Sequence, residues 1–244
     1  MALKFFNTGE IIRDNLGQEF CFVPEGTFLG GEDGTEEMEV KAPFYLGRAP
    51  LTVALFQAFL ADSGYEFPES DLQEMLEVSS MPDCPAVNIS WLDAKEICRW
   101  LRKKTGHYYS LPQNDEWEKA ARGEDGRKYP WGTEFPNDSL VCFNQLESKT
   151  TSQINIRPDG ASPYGCMDMS GNVWEWCIDS FDDERDPHIL KGGSWQNPEE
   201  FLDCGKKTFS FPPEKRRTYM GIRLLYLPQG EMLDYYQNAY KEDS

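Results

Sequence analysis

The side chains best suited to redox or metal chemistry are seven cysteines, at positions 21, 84, 98, 142, 166, 177 and 204. No two of them form a CxxC pair, so neither a zinc ribbon nor a thioredoxin-type dithiol motif is encoded. Histidine occurs twice, at His107 and His188, which excludes a three-histidine iron or zinc site within the chain. The odd cysteine number and the scattered spacing favour reduced thiols and a cytoplasmic setting. A second kind of chemistry is suggested by Gln196 to Tyr219, the basic, aromatic-bearing stretch of an acidic chain. Arginine and aromatic side chains are favoured interface anchors. Asn197, Phe201, Lys206, Lys207, Phe209, Phe211, Arg216, Arg217 and Tyr219 are therefore the candidate ligand-binding residues, and the expected ligand is a protein or peptide.

These groups must be positioned by local elements. Phe20 to Pro24 reads as a short strand ended by proline, and Thr27-Phe28-Leu29 is placed to pair back with it across the Glu25-Gly26 turn. Gly30 to Glu39 reads as a polar acidic loop, and Phe44 to Gly47 as another strand. Thr52 is a helix N-cap followed by Leu55, Phe56, Phe59 and Leu60 at helical spacing, with a stop at Ser63-Gly64. Ser90 and Asp93 form a capping-box pattern ahead of the stripe Trp91, Ala94, Ile97, Cys98 and Leu101, which ends at Gly106. A third helix is expected over Asp115 to Arg122. From Gly123 onward periodicity fades into turn-rich sequence, with strand-like runs at Ile189-Leu190 and from Met220 to Leu227. The tail after Pro228 is polar and tyrosine-rich, a short helix or a frayed end.

The 244 residues are enough to bury a sizeable core in one domain, and 14% aromatic content argues against disorder. Forty-two acidic against 24 basic residues give a formal charge of -18. Such a surface repels phosphate backbones and anionic membranes, so nucleic acid is not an expected partner; it suits cations or basic protein patches. No apolar run of about 18 residues is present to span a membrane. The N-terminus lacks the long apolar run and cleavage site of a signal peptide.

Eight blocks, in order, carry a resemblance to a known family. They are Phe22-Val23-Pro24-Glu25-Gly26-Thr27-Phe28; Phe44-Tyr45-Leu46 leading into Thr52 and Phe56; Pro85-Ala86-Val87-Asn88-Ile89-Ser90-Trp91; and Leu111-Pro112 with Glu116-Trp117-Glu118 and Ala120-Ala121-Arg122-Gly123. Tyr129-Pro130-Trp131-Gly132, Gly171-Asn172-Val173-Trp174-Glu175-Trp176, Gly192-Gly193-Ser194-Trp195 and Gly221-Ile222-Arg223 follow. Together they resemble the formylglycine-generating-enzyme, or sulfatase-modifying-factor, family across about residues 20–227. The resemblance implies an α+β, loop-rich, C-type-lectin-like fold with two or three helices and small twisted antiparallel sheets. The expected division is a lead-in over 1–19, the domain over 20–228 and a polar tail over 229–244. Trp91, Trp117, Trp131, Trp174, Trp176 and Trp195 are expected in the core, and Arg122 and Arg223 paired with buried acids or carbonyls.

Enzymes of that family hold copper between two thiolates five residues apart, just after the glycine-glycine-serine block. Here those positions fall on Asn197 and Leu202, and no two cysteines in the chain are five apart. Amide and apolar side chains cannot replace soft thiolate ligands, so no copper is expected. The resemblance also implies a structural calcium held by Gly171, Asn172, Val173 and Glu175, through carbonyls and one carboxylate. The iron-dependent sulfoxide synthases of the family need histidines this chain lacks, and its hypervariable binders have a loop richer in Asn, Ser and Tyr. The expectation is thus a non-catalytic binding module. The rival readings are an oxidase with an altered site, or a sensory part of a bacterial serine/threonine kinase system.

Overall fold

The computed structural model describes residues 9–180 and 187–239, and for residues 208–210 the backbone alone. The first half runs β1 (Ile11–Arg13), β2 (Glu19–Val23), β3 (Gly26–Gly30), β4 (Glu36–Val40), β5 (Phe44–Gly47), α1 (Val53–Ser63), α2 (Glu69–Val78), α3 (Trp91–Thr105), β6 (Tyr108–Ser110) and α4 (Asn114–Arg122). The second half adds β7 (Trp174–Ser180), β8 (His188–Lys191), β9 (Lys207–Phe211), β10 (Met220–Gly221), β11 (Leu225–Leu227) and α5 (Glu231–Ala239). Three sheets result: β1-β2-β5-β11-β6, β10-β7-β8-β9, and the β3-β4 hairpin. The architecture is α+β, with about fifty residues between α4 and β7 folded mainly as turns.

The helix signals act as their chemistry requires. Thr52 Oγ1 accepts from the Leu55 N–H, and Gly64 closes α1 in the left-handed region at φ 69°. Ser90 and Asp93 cap α3 reciprocally, and Gly106 ends it at φ 77°. In α4 the box is formed by Gln113 and Glu116, and the helix starts at Asn114, one residue before the expected Asp115. The apolar faces meet in one core containing Phe20, Tyr45, Phe56, Trp91, Trp117, Trp176 and Leu225. Of the six tryptophans expected there, Trp91, Trp117, Trp174 and Trp176 join it, Trp195 is buried outside it, and Trp131 is only partly buried and packs on a satellite cluster with Tyr129, Leu140, Val141 and Leu202.

Several expectations are corrected. Five helices form among the described residues, not two or three. The acidic α2 buries only Met75, so it carries almost no apolar stripe by which to recognise it. β3 pairs with β4, not with β2, and β4 occupies part of the stretch expected as a loop. Its alternating glutamates face water. The β10–β7 pair is parallel, not antiparallel. β1, from the expected lead-in, pairs with β2. In the tail, where a short helix or a frayed end is expected, α5 forms and buries Met232 and Tyr236, whose hydroxyl donates to Glu116 Oε1 at 2.5 Å.

Candidate functional site

The turn leading into β7 is built around a buried ion pair. Glu175 and Arg223 are 1% and 0% exposed. Arg223 Nε donates to Glu175 Oε2 at 2.9 Å and Nη2 to Oε1 at 2.8 Å, while Trp117 Nε1 donates to Oε2 at 2.6 Å. The rest of the guanidinium donates to the carbonyls of Gly47 and Met167. A carboxylate has about four lone-pair sites, so three are taken and Oε1 keeps one. Asn172 is likewise engaged: its amide bonds both backbone groups of Ser152, and its carbonyl accepts from the Trp195 N–H. Gly171 is at φ 72°, and a Cβ there would lie 2.3 Å from the Cys142 carbonyl oxygen, so only glycine fits.

A calcium ion at this turn therefore has less of Glu175 and Asn172 than the sequence implies. The structure offers a different ligand. Asp168, in the left-handed region at φ 55°, has a buried Oδ2 with no hydrogen-bond partner among the described residues. Burial pushes its carboxyl above the usual range, against the pull of Arg223 and Arg157. An orphaned buried carboxylate oxygen three residues before Gly171 fits a hard cation. Nothing in the sequence marks Asp168, because its distinction is a missing partner.

The loop after β8 takes its shape from glycine. Gly193 is at φ 74°, and a Cβ there would sit 2.7 Å from the Phe201 carbonyl oxygen, so the chain can fold back on itself. Asn197 Oδ1 accepts from Trp174 Nε1 at 2.9 Å and from Ser194 Oγ at 2.6 Å. Leu202 is fully buried against Leu140 and Val141. The two positions expected for copper thiolates are thus an anchoring amide and a core leucine. All seven cysteines are buried and free of disulfides. Cys204 is pushed up to about 12 by burial and is no reactive thiol. Cys21 and Cys166 hydrogen-bond to one another; that bond and burial raise Cys21, while the same bond, helped by Arg223, lowers Cys166.

The basic stretch divides into anchors and surface. Arg216 is an anchor, contrary to expectation. Its Nε and Nη2 donate to the two oxygens of Asp93 at 2.7 Å each, Nη1 donates to Asp71 at 3.2 Å, and the guanidinium lies over Phe67. It fixes the loop before β10 to the start of α3. Phe201, Phe211 and Tyr219 are half-buried against the core, and the Phe201 ring meets Trp174 edge-on. Arg217 and Lys207 are exposed, and Lys206 is half-exposed and 3.8 Å from Glu32. Phe209 lies in β9, and its side chain is outside the described residues.

Lys206 and Lys207 form one wall of a cleft of about 410 Å³. Glu32 and Glu36 line the β3-β4 side, and Asn114, Asp115 and Glu118 come from the start of α4. Behind it lies a second buried charge cluster. Glu118 Oε2 accepts from Lys191 Nζ at 2.9 Å, and Arg122 reaches the carbonyls of Gly31, Gly126 and Arg127. Arg122 therefore pairs with an acid and carbonyls, as its sequence context suggests.

The matching family model is the sulfatase-modifying factor enzyme 1-like domain, over residues 10–226. The chain belongs to this family. It is 36% identical to the inactive C-alpha-formylglycine-generating enzyme 2 of Bos taurus over 138 residues, 52% of this chain and 42% of that protein. It is 32% identical to the formylglycine-generating enzyme of Streptomyces coelicolor over 145 residues, 49% and 44% of the two chains. Serine/threonine-protein kinase pkn1 of Chlamydia caviae matches 86% of this chain at 27% identity, but only 38% of the kinase is covered. The chain thus spans less than half of each of these relatives. Among solved structures, PvdO from Pseudomonas aeruginosa superposes with a TM-score of 0.75 at 21% identity, covering 91% of this chain and 99% of that one. That likeness establishes the shared fold, the C-type-lectin-like fold of the family. No helix among the described residues is long and apolar enough to cross a membrane.

Proposed function

We propose that the chain is a non-catalytic binding module on the formylglycine-generating-enzyme scaffold, reading a protein or peptide through the surface around Arg217, Lys207 and Tyr219. One observation carries the reading: Asn197 and Leu202 occupy the thiolate positions, and each already has a structural task. Neither offers the soft sulfur that stabilises Cu(I). The half-buried aromatics give the surface a rigid base, and the exposed cations give it specificity for acidic or polar partners. The test is oxygen consumption with a cysteine-containing peptide and added Cu(I). No turnover is expected; turnover above the rate of free copper would overturn the reading.

The reading includes a structural calcium at the turn, held by Asp168 with the remaining lone pair of Glu175 Oε1 and the carbonyls of Gly171 and Val173. Calcium is expected to raise the melting temperature of the wild type and to leave that of Asp168→Asn unchanged. An equal response of both proteins, or none in the wild type, would count against it. A second reading is favoured by the kinase match over 86% of the chain. In it the same surface serves as the sensory part of a serine/threonine kinase system, and the bound partner would alter phosphorylation by a kinase to which the domain is joined.

A further inference from the structure

Two of the seven cysteines share one site. Cys21 and Cys166 are both fully buried, and their thiols hydrogen-bond to one another. Their backbones are pinned side by side. Cys21 sits in β2, paired with Ile11 of β1 and Leu46 of β5. Cys166 closes a tight turn: its N–H donates to Ser162 Oγ at 3.2 Å, and its carbonyl accepts from the Ser162 N–H at 2.8 Å. Arg48 joins the two segments. Its N–H donates to the Glu19 carbonyl at 2.8 Å, and its own carbonyl accepts from the Met167 N–H at 2.6 Å. Gly165, next to Cys166, leaves the sulfurs room; a Cβ there would lie 3.7 Å from Cys21 Sγ and 3.9 Å from Ile11 Cδ1. The cover over the pair is slight. β1 is a three-residue strand at the edge of its sheet, and Ile11, directly opposite Cys21, is exposed. Opposite residues of an antiparallel pair project to the same face, so the Ile11 side chain lies beside the sulfur at the surface. A short edge strand with few buried contacts is the first part of a sheet to open.

We propose that Cys21 and Cys166 form a reversible oxidation site, reached past β1 by a small peroxide and converted to a disulfide with the fold kept. One thiol attacks a peroxide oxygen. A sulfur–oxygen bond forms, the oxygen–oxygen bond breaks, and the thiol proton leaves with the departing hydroxide as water. The second thiol attacks the sulfenic sulfur. The sulfur–sulfur bond forms, the sulfur–oxygen bond breaks, and the second proton leaves with that hydroxide as water. Two thiols thus lose two electrons, and one peroxide is reduced to two waters. Hydrogen peroxide suits the site because it is small and leaves no bulky adduct in the core. A sulfenic acid with a thiol already in hydrogen-bond reach condenses to the disulfide before a second peroxide arrives. The bond joins β2 to the segment that leads into the turn before β7. The inference is independent of the binding-module reading.

The test treats the folded protein with hydrogen peroxide, then unfolds it, alkylates the remaining thiols and maps the peptides by mass spectrometry. Two of the seven thiols are expected to be lost, with one cross-link between the peptides of Cys21 and Cys166, and dithiothreitol is expected to restore all seven. Cys166→Ser is expected to give no cross-link. Ile11→Ala, which leaves both thiols in place, is expected to oxidise at least about threefold faster through easier opening of β1. The oxidised wild type is expected to melt no lower than the reduced one. Retention of all seven thiols, a cross-link between any other pair, or oxidation of a single cysteine without a cross-link would each overturn the site. An unchanged rate in Ile11→Ala would overturn entry past β1. A lower melting temperature after oxidation would overturn the claim that the bond forms with the fold kept.

Discussion

Two buried ion clusters sit on either side of Trp117, and they differ in completeness. In the Glu175–Arg223 cluster each carboxylate oxygen accepts at least one hydrogen bond, and Nε, Nη1 and Nη2 all donate. In the Glu118–Arg122–Lys191 cluster one oxygen and one nitrogen form an ion pair at 3.3 Å but no hydrogen bond. The first cluster joins β7 to the loop between β10 and β11, and of the Glu175 carboxylate it leaves one lone pair, on Oε1. The second keeps a buried oxygen and a buried nitrogen close together without the alignment of a hydrogen bond. Unfilled hydrogen-bonding capacity separates the two better than burial or charge, since both are buried and both are ionic.

The largest expected effect comes from breaking the complete cluster. Arg223→Met leaves Glu175 buried with no cation, and removing one partner of such a pair costs about 3–5 kcal/mol. Urea unfolding should show the loss as a lower midpoint with an unchanged slope. A loss below about 1 kcal/mol would mean that the carboxylate is otherwise compensated, and the contrast between the clusters would fail.

A smaller effect sharpens the contrast through a lone buried cation. Lys119 is fully buried, and its Nζ donates to the Gly26 carbonyl at 2.8 Å. Burial pushes its amine down to about 8 from the ordinary 10.5, despite Glu124, Glu25 and Glu39 nearby. Below pH 8 the group is protonated in both folded and unfolded chains, and the penalty is fully present. Between about 8 and 10.5 the unfolded chain keeps a proton that the folded one has lost. Stability therefore rises with pH across that window, by up to ~3 kcal/mol. Lys119→Met should flatten this rise, as measured by denaturant unfolding at a series of pH values. An unaltered rise would show that Lys119 is solvated in the folded state.

Much of the scaffold is legible in the sequence, because caps and stripes are local. Thr52, Ser90 with Asp93, and the glycines 64 and 106 announce α1 and α3 by themselves. β4 and α2 are hidden because their exposed faces are acidic and their buried faces small. The candidate site is less legible for a different reason. Arg216 and Asp93 are 123 positions apart, and no pattern in either segment announces the other. Asp168 is distinguished by a partner that its Oδ2 lacks, which only a folded structure can reveal.

The smallest effects test the division within the basic stretch. Arg216 and Arg217 are adjacent and chemically identical, so sequence gives no reason to separate them. In the fold, Arg216 closes a bidentate pair with an Asp93 that is 0% exposed and already caps α3. Arg217 is exposed and, among the described residues, donates to the carbonyl of Arg216. Charge-assisted hydrogen bonds are worth about 1.5–3 kcal/mol where they are shielded, and Arg216 is partly open to water, so Arg216→Ala should lose about 1–2 kcal/mol. Arg217→Ala should stay within about 0.5 kcal/mol, as for other exposed substitutions. Binding of the partner should show the reverse order. Arg217→Ala weakens it through lost surface charge, and Arg216→Ala weakens it only as far as the loop before β10 loosens. Paired thermal melts and binding titrations on the two variants measure both orders together. If Arg217→Ala proved the more destabilising, or Arg216→Ala weakened binding more at full folding, the anchor and surface roles would have to be exchanged.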